Sequence, residues 1–138
     1  NVGSWYMYRK FGYYGLSNSM SKQSQEELQH GDDLAHYMAK RGGIAKVDKI
    51  YVVPQEWENV LDAFENVYQH ECHVSSLIDE LVNVASAEKD KATQDFLWGY
   101  VREQVEEEAT ALNIVEKLKR CKDESGVLFL DDKLGERE

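Results

Sequence analysis

Apolar residues recur at steps of three and four over three long stretches of this chain, and that spacing is typical of amphipathic helices. The predicted long helices are residues 13–41, 56–87 and 91–122. At 1.5 Å per residue, each would be about 40 Å long. Gly42 and Gly43 end the first helix, and the only proline, Pro54, lies in the non-periodic link 43–55 that follows. A short apolar stretch favours a further small helix at 125–136, so the chain is predicted to be all-α.

The link 43–55 is too long for a tight hairpin. As an extended segment, rising about 3.3 Å per residue, it could run the length of a helix bundle and join two parallel helices. Only Ile50–Val53 within it has strand-like composition. A bundle with one long crossover is one of the few recognised four-helix topologies. At 138 residues, the chain is expected to form a single domain of this kind.

Composition excludes several classes of function. Sixteen Lys and Arg against 26 Asp and Glu give a net charge of -10, which repels nucleic acid and favours cations. No apolar run approaches the roughly 20 residues of a membrane span, and no signal peptide is recognisable, so a cytoplasmic protein is expected. Cys72 and Cys121 lack the CxxC spacing of a zinc site and are interpreted as free thiols.

Each long helix carries acidic or amide side chains near its middle, where its apolar face would otherwise continue. These are Glu26, Glu27 and His30 on the first helix, Glu71 on the second, and Glu103, Gln104, Glu106 and Glu107 on the third. Any one of these glutamates alone is usually a solvated helix residue. Three interruptions at corresponding depths are far harder to obtain by chance. Glu108 lies about 100° round the helix from Glu107 and is interpreted as solvated surface.

Converging buried carboxylates raise one another's pKa and destabilise a fold unless a cation lies among them. A site rich in carboxylate oxygen with one imidazole suits iron or manganese better than structural zinc. Glu27 and His30 are three residues apart and therefore share a helix face. Carboxylates facing one another across a bundle, with Glu-x-x-His on one helix, predict a di-metal site.

Seven segments keep the order and spacing of motifs in a known family. They are Gln23–His30, Arg41–Gly43, Pro54–Trp57, His70–Glu71, Glu88–Asp90, Glu103–Ala109 and Leu130–Gly135. On these segments, residues 11–138 resemble the non-heme ferritins of the bacterial and archaeal type. The resemblance implies a ferritin-like four-helix bundle with a long crossover and a short C-terminal helix.

The resemblance also implies an activity. Ferritins of this type form a homo-oligomeric shell of 24 subunits, oxidise Fe(II) with O2 or H2O2 at an intrasubunit di-iron centre, and store the ferric product inside. By position, Glu27 would bridge both irons, His30 would complete the first site, and Glu71 and Glu107 the second. Gln104 would lie close enough to influence oxidant binding.

Three further carboxylates match a third iron site of the prokaryotic ferritins. They are Glu26, Glu103 and Glu106. No heme site is implied, because the third helix offers Gln104-x-x-Glu107 where heme-binding bacterioferritins and rubrerythrin-like proteins show a second Glu-x-x-His.

One departure from the family pattern affects the first helix. Family members supply a further iron-binding glutamate from a full first helix, and the matching position would precede Asn1. Residues 1–10 are therefore expected to be the remnant of a first helix that is largely absent from this chain, as in a truncated ferritin. Two alternatives stay open: a catalytically impaired cage subunit, and a rubrerythrin-like di-iron oxidoreductase.

Overall fold

A computed structural model describes residues 7–43 and 57–136, and every regular element in those two ranges is helical. After a five-residue π-helical turn at Met7–Phe11, the helices are α1 (Tyr14–Lys40), α2 (Val60–Ala87), α3 (Lys91–Arg120) and α4 (Glu124–Gly135). They fall into two compact units. Residues 58–122 form the hairpin unit, and the described parts of 1–57 and 123–138 form the terminal unit.

The hairpin unit is a pair of antiparallel helices, α2 and α3, that pack along a heptad seam. The seam consists of Phe64, Glu71, Ile78 and Ala85 on α2 and Leu97, Gln104, Ala111 and Leu118 on α3, all buried. Within each helix these residues are seven apart, the repeat that keeps one stripe facing a neighbouring helix over several turns. Six of the eight are apolar. The two polar members, Glu71 and Gln104, interrupt the seam at the same depth.

Side-chain caps fix where the two hairpin helices begin. The N–H of Asp62 donates to the Asn59 side chain at 2.8 Å, and the N–H of Thr93 donates to Asp90 Oδ1 at 3.1 Å. Asn59 is fully extended, with φ −153° and ψ 174°, so helical geometry cannot continue through it. The second long helix therefore begins at Val60, four residues after its expected start at residue 56.

The turn between α2 and α3 contains a residue in the left-handed region. Lys89 has φ +55°, and its N–H donates to the Ser86 carbonyl at 3.0 Å, which closes the end of α2. A side chain in that region costs about 1 kcal/mol relative to glycine. Most helices that end in this way have glycine at the left-handed position.

Lys89→Gly is therefore expected to raise the free energy of unfolding by about 1 kcal/mol, because the backbone strain disappears and the hydrogen bond to Ser86 stays. Denaturant unfolding followed by circular dichroism measures the change. Lys89→Ala is the matched control, since it removes the charge and keeps the Cβ. Equal stability of the two variants would contradict the argument.

In the terminal unit, α4 caps the start of α1. Tyr13, the residue before α1, offers no side-chain cap. Asp131 of α4 does so instead, because its Oδ1 accepts the N–H of Leu16 at 2.8 Å in a buried hydrogen bond. A carboxylate at a helix N-terminus also interacts favourably with the helix dipole. Residues 115 apart in sequence thus stabilise one helix end.

The two backbones approach each other closely at Gly15. A Cβ at this position would fall on the carbonyl oxygen of Asp131 and 2.7 Å from the Gly135 nitrogen. Both of those atoms belong to the backbone of α4. Only glycine allows α4 to lie this close to the first turn of α1, and this contact brings Asp131 to Leu16.

The expected first-helix remnant, residues 1–10, overlaps the turn at Met7–Phe11, and residues 1–6 lie outside the described ranges. The crossover 43–55 and its strand-like part Ile50–Val53 also lie outside them, apart from Gly43. Among the described helices, none combines the length and hydropathy that a transmembrane span requires.

Candidate metal site

The polar interruption of the hairpin seam is a contact between a carboxylate and an amide. The Glu71 side chain is 2% exposed, and Gln104 is 5% exposed. Gln104 Nε2 donates to Glu71 Oε2 at 3.1 Å and lies 3.2 Å from the Glu71 carbonyl oxygen. The structure thus brings together one residue from α2 and one from α3 that the sequence assigned to the same site.

The surroundings of Gln104 determine which way its amide faces. A backbone carbonyl only accepts hydrogen bonds, so the amide nitrogen, and not its oxygen, must face Glu71. The same nitrogen lies 3.2 Å from Ser75 Oγ. Ser75 is one turn after Glu71 on α2, and its hydroxyl completes a group of three acceptors around one NH2.

A carboxylate as deeply buried as Glu71 is costly. Its transfer from water to the interior of a protein costs several kcal/mol even after the surroundings relax. The Gln104 amide offsets part of that cost, and a hard cation would offset far more, because its charge and the carboxylate charge attract at low dielectric. Carboxylate oxygen suits iron, manganese and magnesium among the common metals. The seam therefore contains a side chain suited to hold a cation.

The other acidic residues of α3 differ in exposure. Glu107 follows Gln104 by three residues, lies on the same helix face and is half-buried, while Glu103 and Glu106 are exposed. Glu108, which the helical spacing predicts to be solvated surface, is half-buried. The side chains at positions 106 and 108 therefore lie in different surroundings although both adjoin Glu107.

Glu108 also contributes to the environment of a tyrosine. The pKa of Tyr68 is raised, chiefly by a hydrogen bond between its hydroxyl and the Cys72 thiol. The negative charge of Cys72 when ionised, burial and the charge of Glu108 add to the shift in that order. Each of these effects favours the protonated phenol over the phenolate.

The remaining predicted ligands lie on α1, in the terminal unit. Glu27 is exposed, and Glu26 and His30 are half-buried. Within either unit, the described residues contain no group of three or more His, Cys, Asp or Glu side chains arranged to hold a metal. The structure thus places Glu71 with Gln104, and the joint action of these two with the α1 residues stays a prediction.

Comparison with known proteins identifies the family. A family model described as the ferritin-like domain matches residues 2–121. The chain belongs to the ferritin family. It is 60% identical over 132 residues to the bacterial non-heme ferritin of Bacteroides fragilis, covering 96% of this chain and 82% of that protein.

More distant ferritins match over most of their length as well. A probable bacterial non-heme ferritin-like protein of Haemophilus influenzae is 34% identical over 122 residues, covering 88% of this chain and 74% of that one. The crystal structure of an open pore ferritin from Archaeoglobus fulgidus superposes with a TM-score of 0.92 at 45% identity, covering 99% of this chain and 86% of that chain. The predicted family and the all-α ferritin fold class are confirmed.

Two residues with evident structural roles were not predicted from the sequence. Ser75 contacts Gln104, and Asp131 caps α1. Ser75 could have been found, because a residue four positions after Glu71 shares its helix face. Asp131 gives no such signal, since its partner Leu16 lies on a helix far away in sequence.

Proposed function

We propose that this chain stores and detoxifies iron, oxidising Fe(II) to Fe(III) at an intrasubunit di-iron centre and keeping the ferric mineral inside a homo-oligomeric shell. The observation that carries the proposal is the buried Glu71–Gln104 pair in the apolar seam of a ferritin-family chain. A seam that needed only to pack would have apolar residues at both positions. The buried carboxylate lowers the stability of the fold, and iron binding would explain its presence at this position.

Iron is the substrate, and the ligands we propose come from three helices. Glu27 would bind both irons, His30 would complete the first site, and Glu71 and Glu107 would form the second. Gln104 influences the approach of the oxidant. The anionic oxygens of the glutamates stabilise Fe(III) more than Fe(II), so they favour loss of one electron from each iron. The two electrons reduce O2 to H2O2, or H2O2 to two molecules of water, with two protons taken up from the solvent.

Three more exposed or half-buried carboxylates extend this ligand set. Glu26, Glu103 and Glu106 would form a third iron site beside the pair. Greater exposure makes binding there weaker and exchange faster, since water competes for the ion and screens its charge. Such a site suits transfer of iron between the centre and the store.

The charge of the chain supports the storage part of the proposal. A net charge of -10 on each chain attracts Fe(II) to the protein surface. We propose a shell of 24 subunits in the cytoplasm, without heme, in which each subunit has its own oxidation centre. The mineral then grows in an enclosed volume.

The test is Fe(II) oxidation under air, followed by the near-ultraviolet absorption of Fe(III). The wild-type shell is expected to oxidise stoichiometric Fe(II) faster than buffer alone, and Glu107→Ala is expected to lose most of the rapid phase. Glu108→Ala is the matched control, because it removes the same charge one residue away and should keep that phase.

Two results would overturn parts of the proposal. Wild-type oxidation no faster than in buffer would remove the ferroxidase activity. Equal rates for Glu107→Ala and the wild type would remove the ligand assignment on α3. Size-exclusion chromatography of each variant checks its assembly before rates are compared.

A further inference from the structure

The Gln104 amide has more acceptors around it than hydrogens to give. Its NH2 group carries two hydrogens. Three oxygens lie within hydrogen-bonding distance of the nitrogen: Glu71 Oε2 at 3.1 Å, the Glu71 carbonyl at 3.2 Å and Ser75 Oγ at 3.2 Å. The hydrogens must be shared, so one of the three contacts is always weaker than the others.

This surplus has a consequence for metal binding by Glu71. A metal ion bound to the Glu71 carboxylate would withdraw electron density from both of its oxygens, and Oε2 would become a poorer hydrogen-bond acceptor. In a buried site, an amide hydrogen that loses its acceptor and finds no other costs as much as a broken hydrogen bond. Without a third oxygen nearby, Gln104 would therefore resist binding of a metal to Glu71.

We propose that Ser75 is a positioning residue that receives the Gln104 hydrogen when Glu71 binds iron. Its hydroxyl is the alternative acceptor, so the Glu71 carboxylate can bind the metal while the buried amide hydrogen keeps a hydrogen-bond partner. The Glu71 carbonyl holds the second hydrogen throughout and keeps the amide in the same orientation. This inference rests on the proposed function, because it assigns Ser75 a part in loading the same centre.

A purely structural role for Ser75 makes a different prediction. A hydrogen bond that only joined α2 to α3 would affect the stability of the metal-free hairpin and leave metal affinity alone. The two roles therefore differ in what the loss of the hydroxyl changes. Affinity for a metal that does not react with oxygen separates them.

The experiment is anaerobic titration of the assembled protein with Co(II), followed by its visible absorption. Ser75→Ala is expected to weaken the Co(II) site that depends on Glu71 by about tenfold, the size of one lost buried hydrogen bond. Ser75→Thr restores the hydroxyl and is expected to restore the affinity. In a Gln104→Leu background the amide is gone, so Ser75→Ala should have no further effect.

Threonine and valine supply a second comparison if the alanine variant does not assemble. Ser75→Thr and Ser75→Val have nearly the same shape and differ in the hydroxyl alone, so weaker Co(II) binding by the valine variant supports the proposal. Equal affinity of the two variants overturns it, and so does an alanine effect that persists beside Gln104→Leu. Glu71→Gln tests the proposed function separately: if it binds Co(II) like the wild type, the centre itself is refuted and the role of Ser75 falls with it.

Discussion

Glu71→Gln is expected to slow Fe(II) oxidation by about a hundredfold, the usual effect of removing one group that stabilises charge at a buried reaction centre. Glutamine keeps the shape of the side chain and a carbonyl oxygen that accepts from the Gln104 amide. It removes the negative charge that would bind iron. Stopped-flow absorption of Fe(III) formation measures the rate.

The same variant is expected to fold as well as the wild type. A buried charge costs stability, and replacing it with a neutral group of equal shape is often neutral or stabilising. Glu80→Gln on the exposed face of α2 is the matched control, since it removes a carboxylate from the same helix and should leave the rate unchanged. Comparable oxidation rates for the two variants would show that Glu71 holds no reacting iron.

Periodicity predicted the helices well because long amphipathic stripes have few other solutions. The observed α1 (Tyr14–Lys40) differs from its predicted bounds by one residue at each end. The predicted start of α2 at residue 56 was wrong by four residues, although the sequence contains the N-cap residue Asn59 directly before the observed start. Periodic apolar residues continue across a cap without marking it, so the pattern alone places a helix more securely than it places its first residue.

Part of the site was visible in the sequence for a physical reason. Polar residues at seam positions, such as Glu71 and Gln104, stand out because the period predicts an apolar side chain there. Contacts between helices could not be predicted in this way. The hydrogen bond from Gln104 to Ser75 depends on the axial register of α2 against α3. The spacing of residues within one helix does not determine that register. The half-buried state of Glu108 depends on the neighbouring helix in the same way.

Glycine at position 15 shows how a close approach of two backbones can decide the stability of a unit. Gly15→Ala is expected to lower the free energy of unfolding by about 3 kcal/mol. Overpacking typically costs 1–3 kcal/mol, and loss of a helix cap costs about 1 kcal/mol more. The added methyl group would overlap the Asp131 carbonyl and crowd the Gly135 nitrogen, and neither backbone atom can move without displacing α4. Denaturant unfolding, at one protein concentration for all variants, measures the loss.

Gly31→Ala, on the same helix, is the matched control, because a Cβ there meets nothing within 4 Å. It is expected to raise stability by up to about 1 kcal/mol, since alanine is the better helix former. Opposite changes in the free energy of unfolding for the same substitution at these two sites would separate the effect of the contact with α4 from that of helix propensity. Amide exchange at Leu16 adds a local measure: Gly15→Ala should speed it by separating that N–H from Asp131. Unchanged exchange would show that the cap survives, and that α4 holds α1 by other contacts.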